Sequence, residues 1–488
     1  MSDFHAAIQV HRHVDDADAH KPLFFAPGLN GNAGGAKIFA EYLPENLPVY
    51  GITAPPREEL SEDTIPTVAK FCVERMREVQ PEGPYRLAGY SFGGRVAHQI
   101  ACYLDELGQV VDGLFLFDVL SCLQVEEPRK HAPDSTYYLQ PVFSGEAVLL
   151  RCWERPMGFL HMPSLGWQHL CRTGVVIYDQ PTVHWGLNVL PHSERVASVI
   201  AQYLGVAHSS DNKTAIKPDA AIPYSPLPEA FCEAKHQCSQ KAYAAAWRAL
   251  MSAPDDSLYP WMLDFAHSVG QTALPNEQLP KAFAQSKKKF KQPLDCSLEF
   301  VSYFLKKGLP IQANKMLALA EDSLPAWISH PTFVLAKAIC ADGSNEPELL
   351  NRLLKQLAEM LQNTPDCYYS VVEAFSVSQP EVAKKFHRLL MQYGSKPAKA
   401  SLYAQYMFKA VRVEKWDAAA QYGKQVINHF APMYHVYPLL IYALTKCGNQ
   451  KDARLVHAMA TRWSSNWGNS GGKLDMALAG TYPGMSHF

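Results

Sequence analysis

Tyr85-Arg-Leu-Ala-Gly-Tyr-Ser-Phe-Gly-Gly-Arg-Val-Ala-His98 is the stretch on which the fold turns. A short apolar run through Leu87 and Ala88 breaks at Gly89-Tyr-Ser-Phe-Gly93, and Val96, Ala97, Ile100, Ala101 and Leu104 then repeat at helical spacing. This predicts strand, sharp turn, helix, the context a Gly-x-Ser-x-Gly motif needs if its serine is to act as a nucleophile. Glycine on both sides of Ser91 lets backbone pack on backbone in so tight a bend. The turn lifts the Ser91 hydroxyl clear of the sheet.

Working outward, Ile8 to His13 alternates like an edge strand, and Leu23-Phe-Phe-Ala-Pro-Gly28 reads as a buried strand entering a glycine-rich loop. Ala36, Phe39, Ala40 and Leu43 give a helix an apolar face, Val49 to Thr53 is a strand, and Ile65 to Val79 is a second helix. Val111 to Phe117, Ala147 to Arg151 and Val175 to Tyr178 are further buried strands, and Glu194 to Leu204 is a closing helix. Strands separated by helices imply a mostly parallel sheet covered on both faces, with ligands at the carboxyl ends of the strands. The irregular segment Leu120 to Glu146 is expected to be a lid insertion above Ser91.

A serine hydroxyl needs a base within hydrogen-bond reach, oriented in turn by an acid. In α/β-hydrolases these follow the serine in the order acid, then histidine. His184 fits best as the base, since it follows the last strand and precedes the closing helix. His98 lies two turns along the helix after Ser91 and reads as a packed or solvated histidine, and His192 sits beside Pro191 at a helix start. Asp118, after one strand, and Glu154, after the next, are equal candidates for the acid on spacing alone.

Gln80-Pro-Glu-Gly-Pro-Tyr-Arg-Leu-Ala-Gly-Tyr-Ser-Phe-Gly-Gly94, together with Pro48-Val-Tyr-Gly51, Leu114 to Asp118, Leu165-Gly-Trp167 and the His184 loop, resembles the thioesterase domains of fatty acid, polyketide and nonribosomal peptide synthases. The resemblance covers most of residues 20 to 206. It implies Asp118 as the acid, leaving Glu154 as runner-up, and an oxyanion hole from the backbone N–H of Phe92 with that of Gly28 or Leu29, because Pro27 has no N–H. It also implies an acyl-serine intermediate formed from a thioester, resolved by hydrolysis or cyclisation. The acyl group would arrive on the phosphopantetheine of a carrier protein or synthase subunit, and no cofactor or metal of the chain's own is expected. The chain departs from the family where Pro181-Thr-Val-His184 replaces the common Gly-x-His and where the oxyanion loop lacks a His-Pro or Pro-Pro opening. Leu120, Leu123, Met157, Phe159, Leu160, Met162, Leu165 and Trp167 flank the Ala147 strand as candidate acyl-pocket residues, or equally as lid core. A carboxylesterase or lipase acting on oxygen esters and a scaffold with a vestigial hydrolase domain are the alternative functions.

At 488 residues the chain exceeds one hydrophobic core. Residues 1–206 are expected to be the hydrolase domain, 207–228 a proline-rich linker, 229–463 a helical domain and 464–488 a tail. In the helical part Ala419 and Ala453, Tyr403 and Tyr437, Tyr406 and Leu440 recur at 34 residues, the tetratricopeptide period. Phe300, Phe304, Gly308, Ala313, Leu317, Ala320 and Pro325 look like a further unit. The fold class expected is therefore an α/β-hydrolase with a lid insertion followed by an all-α, tetratricopeptide-like array. The 11 cysteines show no paired metal-ligand spacing, and with no apolar run near membrane-spanning length and no secretion signal at Met1 to Val10 a cytoplasmic protein is expected. Residues 1–206 carry 15 basic and 24 acidic side chains, and 207–488 carry 30 and 23. The basic half, densest at Lys287-Lys-Lys-Phe-Lys291, is the candidate docking surface for an acidic carrier protein, against the plainer reading of a solvated loop. Dispersed basic residues elsewhere argue against nucleic acid.

Overall fold

A computed structural model describes residues 8–13, 20–28, 31, 33, 35–54, 65–121, 123, 139–152, 164–180, 182, 184–188, 190–206, 215–275, 278–290, 310–323, 331–363, 380–394, 396–431, 433, 436–464 and 470–481. Eight strands form one sheet: β1 (Ile8–Arg12), β2 (Leu23–Phe25), β3 (Val49–Ile52), β4 (Tyr85–Tyr90), β5 (Val111–Phe117), β6 (Ala147–Cys152), β7 (Val175–Gln180) and β8 (Ala220–Ile222). Their order is β1-β3-β2-β4-β5-β6-β7-β8. The strands from β3 to β7 in that order pair in parallel, and β1 and β8 close the two edges antiparallel.

The apolar runs of the central strands explain the two-faced burial. Phe24, Leu87, Leu114, Leu116, Leu149 and Ile177 point to one face, where helices α2 (Ile65–Val79) and α3 (Phe92–Glu106) cover them. Their alternates Phe25, Ala88, Phe115, Phe117, Val148 and Leu150 point to the other, under α1 (Gly35–Ala40) and α4 (His192–Tyr203). This period-two division is what a parallel sheet buried on both sides requires.

Near the carboxyl ends, Arg151 and Asp179 are direct partners across β6 and β7 and form a bidentate pair, 2.7 Å on both sides. Arg151 is only 5% exposed. Asp179→Ala would remove this bidentate carboxylate from a buried guanidinium, and is expected to cost about 3 kcal/mol of unfolding free energy, read as a lowered urea midpoint.

The segment expected as a linker is corrected in part. Residues 220–222 are β8, paired with β7, the Asp219 N–H donates to the Ile177 carbonyl at 2.8 Å, and the Ser225 carbonyl accepts from His169 Nδ1 at 2.6 Å. The prolines around this strand sit at the sheet edge, where a missing N–H is tolerated. Nor do the next helices stand apart. Phe231 of α5 (Glu229–Ser239), Trp247 and Leu250 of α6 (Tyr243–Ser252) and Phe265 of α7 (Leu263–Ala273) belong to the same apolar cluster as Leu87 and Trp167.

Beyond α8 (Leu279–Ser286) the chain continues as α9 (Pro310–Ser323), α10 (Pro331–Gly343), α11 (Pro347–Asn363), α12 (Pro380–Tyr393), α13 (Lys396–Arg412), α14 (Trp416–His429), α15 (Val436–Lys446), α16 (Gln450–Ser464) and α17 (Ser470–Leu478). Ala419 and Ala453, one helical repeat apart in the sequence, are both fully buried where α14 and α16 pack on their neighbours. Gly423 lets α14 approach α15 and α13 closely: a methyl there would lie 2.8 Å from Leu440 Cδ1 and 3.0 Å from Met407 Sδ. Of the further unit expected around Ala313, Phe300, Phe304, Gly308 and Pro325 lie outside the described residues, while Ala313 and Leu317 are buried in α9.

Candidate active site

The turn after β4 is as tight as the glycine spacing demands. A β-carbon on Gly89 would meet the Gly93 carbonyl oxygen at 2.2 Å, and one on Gly93 would meet the Ala26 oxygen at 3.0 Å. Ser91 itself adopts φ 54°, a left-handed conformation uncommon for a residue with a side chain. It is tied down by its N–H to the Phe117 carbonyl at 3.0 Å, and its own carbonyl accepts the Gly94 N–H at 2.9 Å. The serine is half-buried at the carboxyl edge of the sheet, at the start of α3.

Asp118 follows β5, also at positive φ, 45°. Its backbone N–H donates to the Leu150 carbonyl at 2.8 Å, and its Oδ1 accepts the Cys152 N–H at 2.9 Å, so the neighbouring strand fixes both its backbone and its carboxylate. Oδ2 accepts from His184 Nδ1 at 2.7 Å. Burial opposes the charge on this carboxyl, but the hydrogen bond and charge of His184, with the contacts to Cys152, outweigh it and hold Asp118 below the usual carboxylate range. Bonding at Nδ1 leaves Nε2 as the imidazole nitrogen available to take a proton.

His184 opens a 3₁₀ turn, His184–Asn188, after β7. Its position beside the elbow is set by Tyr90, the residue before Ser91. The Tyr90 ring stacks on the imidazole with centroids 4.7 Å apart, and its hydroxyl donates to the His184 carbonyl at 2.9 Å. Burial pushes the Tyr90 phenol well above its ordinary value, so it stays a neutral donor. Neither Tyr90 nor the Cys152 N–H was singled out from sequence. Tyr90 is readable in retrospect as an aromatic at the end of a buried strand, whereas a backbone N–H leaves no side-chain signal.

The end of β2 also lies close to the elbow. The close approach of Gly93 to Ala26 and Pro27 sets the loop beginning at Gly28 against the start of α3, where Phe92 is the first helical residue. Backbone N–H groups of a first turn have no partner within their helix and carry its positive end. Leu29 lies outside the described residues, as do Glu154, Met157, Phe159, Leu160 and Met162.

The other sequence candidates separate cleanly. His98 is fully buried, with Nε2 3.0 Å from the Leu170 carbonyl and its ring 5.0 Å from that of Trp167, and burial lowers its pKa to about 4. It is a packed histidine. Trp167 and Leu123 are fully buried members of the main cluster, and the Trp167 indole N–H donates to the Val119 carbonyl at 2.7 Å. Both are packed in that cluster, while Leu120 is half-buried at its edge. Lys289 of the basic cluster is paired with Asp255 at 2.9 Å, and Phe290 beside it is fully buried. Among the described residues no group of three His, Cys, Asp or Glu side chains is arranged to hold a metal ion, and no helix is long and apolar enough to cross a membrane.

Comparison with known proteins finds likenesses in the N-terminal part of the chain. Residues 21–143 match the thioesterase domain family. Indigoidine synthase of Streptomyces lavendulae is 37% identical over 109 residues, which are 22% of this chain and 8% of that protein. The polyketide synthase PksR of Bacillus subtilis (strain 168) is 29% identical over 134 residues, 26% of this chain and 5% of that protein. The chain thus spans less than a tenth of the length of these synthases. Among solved structures, the thioesterase domain NocB from a nocardicin cluster aligns with 41% of this chain and 99% of its own at 22% identity and TM-score 0.33. The type II thioesterase BorB from the borrelidin cluster aligns with 42% and 99% at 17% identity and TM-score 0.35.

Proposed function

We propose that this chain, whose residues 21–143 match the thioesterase domain family, is a serine thioesterase that takes an acyl, polyketide or peptidyl chain from the phosphopantetheine thioester of a carrier protein. The observation that carries the reading is the 2.7 Å bond from His184 Nδ1 to Asp118, beside an elbow that presents Ser91. Ser91 Oγ attacks the thioester carbonyl carbon while His184 Nε2 takes its proton. The oxyanion that forms is held by the N–H groups of Phe92 and of Gly28 or Leu29, each such donor contributing about 10²- to 10³-fold. Collapse breaks the carbon–sulfur bond, and His184 returns the proton to the leaving thiol. Water, or a nucleophile within the acyl chain, then attacks the acyl-serine with His184 again as base, releasing an acid or a ring and restoring Ser91. Asp118 stays ionised throughout and holds the imidazole tautomer.

The partner is a carrier protein or synthase subunit in the cytoplasm, and the pantetheine arm travels with that partner, so the chain needs no cofactor of its own. The basic helical region is the docking surface in this reading. Lys288 is exposed there, while Lys289 is already paired with Asp255.

Intact-mass analysis after mixing the protein with a panel of acyl-pantetheine thioesters should find an acyl adduct at Ser91 that decays with turnover. Matched oxygen esters should acylate far more slowly. Faster acylation by the oxygen esters would identify a carboxylesterase instead, and no adduct with any thioester, in protein that a fluorophosphonate labels, would remove the thioester assignment.

A further inference from the structure

The turn His184–Asn188 is held from two sides. On the inner side the Tyr90 hydroxyl donates to the His184 carbonyl at 2.9 Å, and the side chain of Asn188, at the other end of the turn, lies beside the same phenol. Leu187 between them is fully buried in the cluster beneath α1 and α4. On the outer side the turn packs against α13, a helix of the C-terminal array more than 200 residues further along the chain.

The burial of α13 is consistent with that contact. Ala400, Ala404, Met407 and Val411 form one face of the helix and enter the cluster shared with α14, α15 and α16. Leu402, with Tyr406, enters a second cluster shared with α10, α11 and α12. Pro397 and Ser401 lie on the stripe between these faces, and both are buried. Ser401 is 8% exposed and its hydroxyl has no hydrogen-bond partner. At the other end of the turn from His184, Asn188 Oδ1 is likewise buried and makes no hydrogen bond among the described residues. The His184–Asn188 turn is a surface that α13 touches.

We propose that the helical array is the outer half of a clamp on the catalytic base: α13 from outside, with Tyr90 and Asn188 from inside, fixes where His184 sits relative to Ser91. The array is then a positioning element of the active site as well as a surface for partners. The proposal rests on His184 being the base. The physical reason such a clamp matters is the steep distance dependence of proton transfer, in which a shift of about 1 Å can cost on the order of 10²-fold in rate.

Gly423 offers a handle inside the array. In full-length protein, Gly423→Ala and Gly423→Leu press on Met407 of α13 and Leu440 of α15 to increasing degrees. Hydrogen exchange at the amides of 184–188 should rise in that order while β4 and β5 keep their protection. Fluorophosphonate labelling of Ser91, which requires an aligned base but no knowledge of the substrate, should slow by about tenfold in Gly423→Leu. Combined with Tyr90→Phe the two losses should not multiply, because both act on one turn. Unchanged exchange at 184–188 together with wild-type labelling, or strictly multiplicative losses, overturns the clamp. If Gly423→Leu melts the array, labelling that continues at the wild-type rate also overturns it, and a fall supports it. Because labelling and exchange use no acyl thioester, failure of the thioester assignment leaves this test intact.

Discussion

Ser91→Ala is expected to lower turnover of an acyl thioester by about 10⁵- to 10⁶-fold while leaving the fold in place. The side chain is half-buried and makes none of the bonds that hold the elbow, which come from the backbone of Ser91 to Phe117 and Gly94, so removing Oγ leaves the turn intact. What disappears is the covalent route. The residual rate, on the order of 10³- to 10⁴-fold above solution, is what an oxyanion hole and substrate binding alone supply. Single-turnover release of acyl acid measures the effect. A variant retaining a hundredth of normal turnover would mean that Ser91 is not the nucleophile.

Asp118→Asn is expected to lower turnover by about 10⁴-fold. Its amide can still accept at one oxygen, but the fixed charge that stabilises the imidazolium is gone, and an NH₂ turned toward Nδ1 selects the wrong tautomer. The same residue makes a pH prediction. A carboxyl whose folded pKa is depressed contributes stability above its unfolded value, and that contribution is lost as pH falls through the folded value. Wild-type protein should therefore lose stability on acidification more steeply than Asp118→Asn, the two urea midpoints converging only below the ordinary carboxylate value of 3.8. Parallel midpoint-against-pH curves would show that the Asp118 carboxylate draws no stability from His184 and Cys152.

The sheet and elbow were legible because each rests on local chemistry. Alternating burial in β4, β5 and β6 needs only unbroken apolar runs, and the collision a β-carbon would suffer at Gly89 is written in the glycine itself. The order Ser91, Asp118, His184 was readable for the same reason, although spacing alone left Asp118 level with Glu154. The Asp118 carboxylate is held by the backbone N–H of Cys152, a group that every residue but proline carries and no sequence advertises.

Long-range docking was not legible. The proline-rich stretch after Val206 looks like a tether, yet three of its residues pair with β7, because edge strands are short and their partners choose them more than their own propensity does. Trp167 looked like a pocket wall because large apolar residues near a lid serve either purpose. The bond from its indole to Val119 and its complete burial show it packed in the main cluster. The meeting of α13 with the His184 turn leaves no periodicity in either segment.

β8 bears on how this protein can be divided. A fragment ending at Val206 would strip the last strand from β7 and present its open N–H and C=O groups to solvent, a template on which identical fragments can add edge to edge. It would also uncover the apolar flank that Phe231, Trp247 and Phe265 now occupy. The smallest self-sufficient unit is therefore larger than the hydrolase motif. A catalytic module moved between enzymes would have to travel with β8 and the first helices that follow it, or it would arrive as an aggregate.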